Sequence, residues 1–101
     1  METVDTVSSP PVVAVTIPAV LRTRTGNHAR VQVAGRTVRE VIEALERDYP
    51  GMRFELCYET GELREFVNIF VGSENARFLN GLETPVTSGA TIHILQSVAG
   101  G

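Results

Sequence analysis

The stretch from Thr37 to Tyr49 limits the fold of this chain more than any other. Val38, Val41, Ile42 and Leu45 recur at i, i+3, i+4 and i+7, one apolar stripe of a helix, while Arg39, Glu43, Glu46 and Arg47 fall on the other side. Thr37 stands three residues before Glu40, the spacing of a capping box, and Pro50-Gly51 stops the period. Glu43 and Arg47 add an i,i+4 ion pair worth about 0.3–0.5 kcal/mol. A single amphipathic helix needs another element to cover its stripe, and the flanking segments alternate with the period of strands. The chain is therefore expected to lay one helix across one face of a small sheet.

Val12 to Ile17 reads as the first strand, with Val13, Val15 and Ile17 on one face. Pro18 ends it, and a loop carrying Arg22, Arg24, Gly26 and Asn27 follows, long enough for a mobile tip. Ala29 to Val33 is the second strand, Val31 and Val33 inward and Arg30 and Gln32 outward, and an antiparallel hairpin is the simplest pairing of the two. Residues 52–57 read as a short helical turn or an irregular packed segment, with Met52, Phe54 and Leu56 at the core edge, and Tyr58 to Arg64 as a loop. Phe66 to Val71 is the strongest strand: Val67, Ile69 and Val71 share one face, Phe66, Asn68 and Phe70 the other. Turn signals at 72–75, Asn80-Gly81 and Ser88-Gly89 precede a last strand that begins at Thr91, where His93 and Leu95 point away from Ile92 and Ile94. If the first and last strands lie side by side in the centre they run parallel, which is the β-grasp arrangement. The fold class expected is thus α+β, a β-grasp with a small mixed sheet, one main helix and a flexible C-terminal Gly-Gly tail that leaves the sheet opposite the hairpin turn. Residues 1–11, ending in Ser-Ser-Pro-Pro, are expected to be a disordered extension, 12–96 the domain, and 97–101 a functional tail.

That tail is the one stretch with the character of a reaction centre. The last strand runs straight into Ser97-Val98-Ala99-Gly100-Gly101. A carboxylate acylates nothing until it is activated, and an activating enzyme must hold it in a site that excludes water. Two glycines suit the task because they lack Cβ and pass a narrow channel. Five extended residues reach about 16 Å, enough to cross the wall of a partner's active site. The Gly101 carboxylate is therefore the expected working group, with Gly100 beside it and Ser97, Val98 and Ala99 as the part that occupies the partner's tunnel.

Other properties narrow the function. At 101 residues the chain is one domain, able to fold without staples. A net charge of −3 leaves no basic surplus for phosphate contacts, so nucleic-acid binding is not expected. All nine basic residues are arginine, so the chain can donate an acyl group but cannot accept one through lysine, which excludes self-linked chains of that kind. One cysteine, Cys57, precludes an internal disulfide and fits a reducing compartment. There is no signal-peptide pattern and no apolar run of spanning length, and a cytoplasmic location is expected, with no membrane partner.

The residues Ile17-Pro18-Ala19-Val20-Leu21-Arg22, the Thr37–Tyr49 helix, Arg64-Glu65-Phe66-Val67-Asn68-Ile69-Phe70-Val71, Arg77-Phe78, Gly81-Leu82 and Val98-Ala99-Gly100-Gly101 give the chain a family likeness. It resembles the small ubiquitin-like sulfur carriers of the ThiS/MoaD type, and among them the kind that feeds sulfur into cysteine synthesis (CysO type), over residues 12–101. The resemblance implies a protein co-substrate rather than an enzyme, with no bound cofactor. An E1-like adenylating and sulfurtransferase enzyme would use ATP to adenylate the Gly101 carboxylate, and a sulfur donor would convert it to a thiocarboxylate. A sulfur-accepting synthase, cysteine-synthase-like or serving another biosynthetic pathway, would then take the sulfur. The chain departs from the family's pattern in lacking a proline before the tail and acidic residues before the last strand. Two other functions remain open: a ubiquitin-like modifier conjugated through Gly101, and a non-catalytic β-grasp interaction module.

The remaining candidates are weighed against plainer readings. Phe66, Asn68 and Phe70, with His93 and Leu95, form a candidate partner patch on the open side of the sheet if no loop covers them. Cys57 reads as a small buried residue beside Leu56, the alternative being a persulfide- or thioester-forming thiol. His28 and His93 lack companions at metal-ligand spacing, and no metal is expected. Glu55, Glu59, Glu62 and Glu65 make the second half acidic, either a solvated face or a surface steering the chain toward a basic groove.

Overall fold

The computed structural model describes residues 9–97. Val12–Thr16 forms β1 and Arg30–Ala34 forms β2, paired antiparallel from Val12 opposite Ala34 to Thr16 opposite Arg30. The Gly35 N–H donates to the Pro11 carbonyl at 2.9 Å and extends the ladder by one rung. The connection between the strands differs from the open loop expected: Ala19–Thr25 is a 3-10 helix closed by Gly26 at φ 62. Thr25 is fully buried, its hydroxyl 2.8 Å from the His28 carbonyl, while His28 Nδ1 donates to the Thr25 carbonyl at 2.7 Å. Local side-chain bonds of this kind hold a turn that has no apolar period to announce it.

Val38–Asp48 is α1. The Thr37 hydroxyl accepts the Glu40 N–H at 3.2 Å, as the spacing required, but the Glu40 carboxylate accepts the N–H of Arg36 at 2.8 Å, one residue ahead of the usual capping box. After Gly51, at φ 101, comes the five-residue helix α2, Met52–Leu56. Met52 and Leu56, four apart, are both buried; Phe54 lies between them on the opposite side and is 64% exposed. The expectation that Phe54 fills the core edge is thereby corrected.

Val67–Val71 forms β3, Glu74–Asn75 β4 and Thr91–Gln96 β5. The sheet order is β2-β1-β5-β3-β4, with β1 and β5 parallel and central. The expected β-grasp topology is present: a mixed five-stranded sheet with α1 across one face. Val13, Val15, Val31, Val33, Ile92 and Ile94 meet Val38, Val41, Ile42 and Leu45 in one core. Burying each such side chain contributes about 1.5–3 kcal/mol. Gly35 admits α1 close to the sheet, since a Cβ there would lie 2.9 Å from the Val41 backbone nitrogen.

One directional expectation fails. Ala14, Val15 and Thr16 pair in parallel with Thr91, Ile92 and His93, so both central strands run toward the same end of the sheet. Ser97 therefore stands at the end that carries the β1–β2 connection, not opposite it. Among the described residues no helix is long and apolar enough to cross a membrane.

Candidate functional site

Ser97 is the last described residue; Val98, Ala99, Gly100 and Gly101, the expected working group and its tunnel segment, lie outside the described residues. What the structure does place is the root of that tail. The Ser97 N–H donates to the Phe66 carbonyl at 2.8 Å, one rung beyond the β5–β3 ladder that ends at Gln96 opposite Val67. Phe66 belongs to a turn closed by the Val67 N–H on the Arg64 carbonyl at 3.0 Å.

Arg77 grips this turn. Its Nη2 donates to the Arg64 and Val67 carbonyls, both at 2.7 Å, and its Nε to Asn68 Oδ1 at 3.2 Å. Asn75 Nδ2 reaches the same Asn68 oxygen at 3.2 Å, and Asn75 Oδ1 takes the Arg77 N–H at 2.9 Å, starting the 3-10 turn Ala76–Phe78. On the other flank the Arg64 guanidinium lies 4.9 Å from the ring centres of both Phe54 and Tyr58, and its Nε donates to the Phe54 carbonyl at 2.9 Å. Two arginines thus tie the turn to its surroundings from opposite sides.

The face of the sheet away from α1 begins at this root. Asn68 stands opposite Leu95, and Phe70 opposite His93. His93 Nδ1 lies 3.0 Å from the Thr16 hydroxyl, in register across the parallel pair. Leu95 is 50% exposed, while Asn68, Phe70 and His93 are half-buried. Four of the five patch residues are therefore adjacent. Phe66 is not with them: it precedes β3, sits in the turn and packs against the core cluster. The alternation that paired it with Phe70 stops where the strand stops. Phe78 was not singled out as a patch residue, although it is 83% exposed and adjoins Arg77, whose side chain contacts Asn68. Its signal was a large aromatic next to a turn asparagine, too common to stand out.

The other candidates read as structure. Cys57 is buried, and desolvation pushes its thiol above the ordinary value despite Arg53, Arg39 and Arg64 nearby, so little nucleophilic thiolate forms. His28 is exposed and held to its own turn. Among the described residues no three of His, Cys, Asp and Glu gather as a metal site. A groove of about 340 Å³ is lined by the apolar Val38, Leu63, Ile69, Ala76 and Leu82 and by the Arg39–Glu83 ion pair at 2.6 Å.

What the described residues present is a strand, β5, that ends at Gln96 with Ser97 bonded to the turn before β3. The family model described as the ThiS family matches residues 15–101, taking in both the tail and its root. The chain belongs to the ThiS family. This ThiS-family chain is 42% identical over 91 residues to the sulfur carrier protein CysO of Mycobacterium tuberculosis, a match covering 88% of the chain and 98% of that protein. It superimposes with a TM-score of 0.83 and 43% identity on the solved structure of the Amycolatopsis orientalis BexX/CysO complex, over 88% of this chain and 99% of that one. Small archaeal modifier protein 1 of Methanosarcina acetivorans follows with a TM-score of 0.77 and 31% identity, over 91% of this chain and 98% of that one. Proteins of this family are small carriers rather than catalysts.

Proposed function

We propose that this chain is a sulfur carrier protein of the CysO type, working through the Gly101 carboxylate. The carboxylate oxygen attacks the α-phosphorus of ATP in an E1-like partner, releasing pyrophosphate. A donor sulfur then attacks the acyl carbon, AMP leaves, and the terminus becomes a thiocarboxylate. A cysteine-synthase-like or other biosynthetic enzyme takes the sulfur, and the plain carboxylate is restored by hydrolysis. ATP is the partner's substrate throughout, and this chain binds no cofactor. The observation that carries the reading is the family match running from residue 15 through Gly101, five residues past the end of β5 in the sequence.

The open-face residues Asn68, Phe70, His93 and Leu95 supply the docking surface for the activating partner, extended by Phe78. A half-buried aromatic ringed by polar groups is the usual composition of a binding centre. The solved complex of a 43% identical CysO with BexX supports a partner that grips such a carrier. The reading places the reaction in the cytoplasm.

Intact-mass measurement after incubation with ATP, an adenylating enzyme and sulfide tests it. A gain of about 16 Da, one oxygen replaced by sulfur, is expected; no gain refutes it. The likeness to a small archaeal modifier favours a second reading, conjugation of Gly101 to amines of other proteins. It predicts adducts of higher mass on those proteins instead. A plain interaction module would keep its output when Gly101 is deleted, whereas both acyl-transfer readings lose it.

A further inference from the structure

We propose that Arg77 is a positioning residue for the tail: it acts through the Arg64–Val67 turn to fix where Ser97 stands, and so the point from which residues 98–101 set out. The inference rests on the proposed carrier function and concerns a side chain that is not part of the tail.

The geometry is specific. Three carbonyls matter at the root: those of Arg64 and Val67 accept from Arg77 Nη2 at 2.7 Å, and that of Phe66 between them accepts the Ser97 N–H at 2.8 Å. A guanidinium is a planar fork of donors, and charge-assisted bonds of this length are stronger than neutral ones. Its Nε adds Asn68, the residue opposite Leu95 on the docking face. Arg77 therefore links the docking face to the tail root through one rigid group. Without it the turn keeps the Val67 N–H bond to the Arg64 carbonyl and the anchoring of Arg64 to Leu56 and Phe54, but the carbonyls of Arg64 and Val67 that flank the Ser97 acceptor lose their shared side-chain donor.

A reacting group that must enter another protein's site gains from a fixed starting point, because orientation settled beforehand is not lost again at capture. On the open face Asn68 keeps its bond to Asn75 Nδ2 when the guanidinium is removed, so docking affinity should change little. A looser root should therefore slow the chemical step while leaving complex formation alone.

Two full-length variants test this. Arg77→Met keeps the stem and removes every donor; Arg77→Lys keeps one charged donor centre and should rescue in part. In the isolated protein, amide exchange at Ser97 should quicken about tenfold in Arg77→Met and less in Arg77→Lys, with Ile69 and Ile94 unchanged. With an adenylating enzyme that charges the wild-type chain, kcat should fall about tenfold in Arg77→Met, with KM within about twofold and Arg77→Lys between. A raised KM with intact kcat would mean that Arg77 touches the partner, and unchanged Ser97 exchange would mean that it does not hold the root; either overturns the proposal. Failure of the carrier reading looks different: the wild-type chain itself would gain no sulfur.

Discussion

The two faces of the sheet are built from the same alternating strands yet end in opposite conditions. Beneath α1, Val15, Ile69, Ile92 and Ile94 are fully buried and join Leu45 of the helix in one apolar core. On the other side Thr16, Asn68, Phe70 and His93 stay half-buried beside an exposed Leu95, with Thr16 bonded to His93 and Asn68 to Asn75 and Arg77. The closed face holds the domain together. On the proposed reading the open face is the side that meets a partner, and Ser97 stands at its border. Stability and partner binding would then draw on different residues of the same strands.

Substitutions on the two faces should separate those properties. The largest effect belongs to the closed face: Leu45→Ala removes a fully buried side chain and should cost about 2–5 kcal/mol in denaturant unfolding. Partner binding measured well below the transition should be little changed. Phe70→Ala should do the reverse, weakening docking by about 1–2 kcal/mol while unfolding shifts by less; an unfolding cost matching that of Leu45→Ala would erase the distinction between the faces.

A smaller effect concerns the support under α1. Glu46 accepts the N–H groups of Arg53 at 2.9 Å and Gly51 at 3.1 Å, and these bonds, aided by the charges of Arg53 and Arg24, hold its carboxyl below the ordinary 4.5. A pKa lowered by folding means that the fold favours the ionised form. Its contribution is complete above the ordinary value and is lost as pH falls through the lowered one. Glu46→Gln should flatten that acid limb in a plot of Tm against pH, and docking by the open face should not follow it.

The smallest change is at Gln96, whose Oε1 is buried without a hydrogen-bond partner among the described residues. An unmet acceptor is itself a cost, so Gln96→Leu should leave Tm unchanged or raise it slightly. A clear drop would show that the root of the tail needs this amide and that the border between the faces is less simple than drawn.

Much of this was readable before any coordinates. The 3.6-residue stripe of Val38, Val41, Ile42 and Leu45, the Thr37 cap, and the alternation in β1, β3 and β5 are local patterns, and local patterns decide which element forms and which side of it is apolar. The element order made the first and last strands parallel if they were neighbours, and the sheet order β2-β1-β5-β3-β4 supplies that adjacency.

What the tertiary structure decided were matters of direction and of which distant groups meet. Phe66 and Phe70 look equivalent in an alternating run, but the strand begins only at Val67, and the turn before it sends Phe66 to the core. Phe54 faces water because position 54 falls on the opposite side of α2 from the buried Met52 and Leu56. Thr16 and His93 meet across 77 positions of chain, and Arg77 finds carbonyls ten and thirteen residues away. A periodicity carries no record of such meetings. They arise because burying the stripe of α1 fixes the register of the strands, and the register in turn determines which polar groups stand within reach of one another.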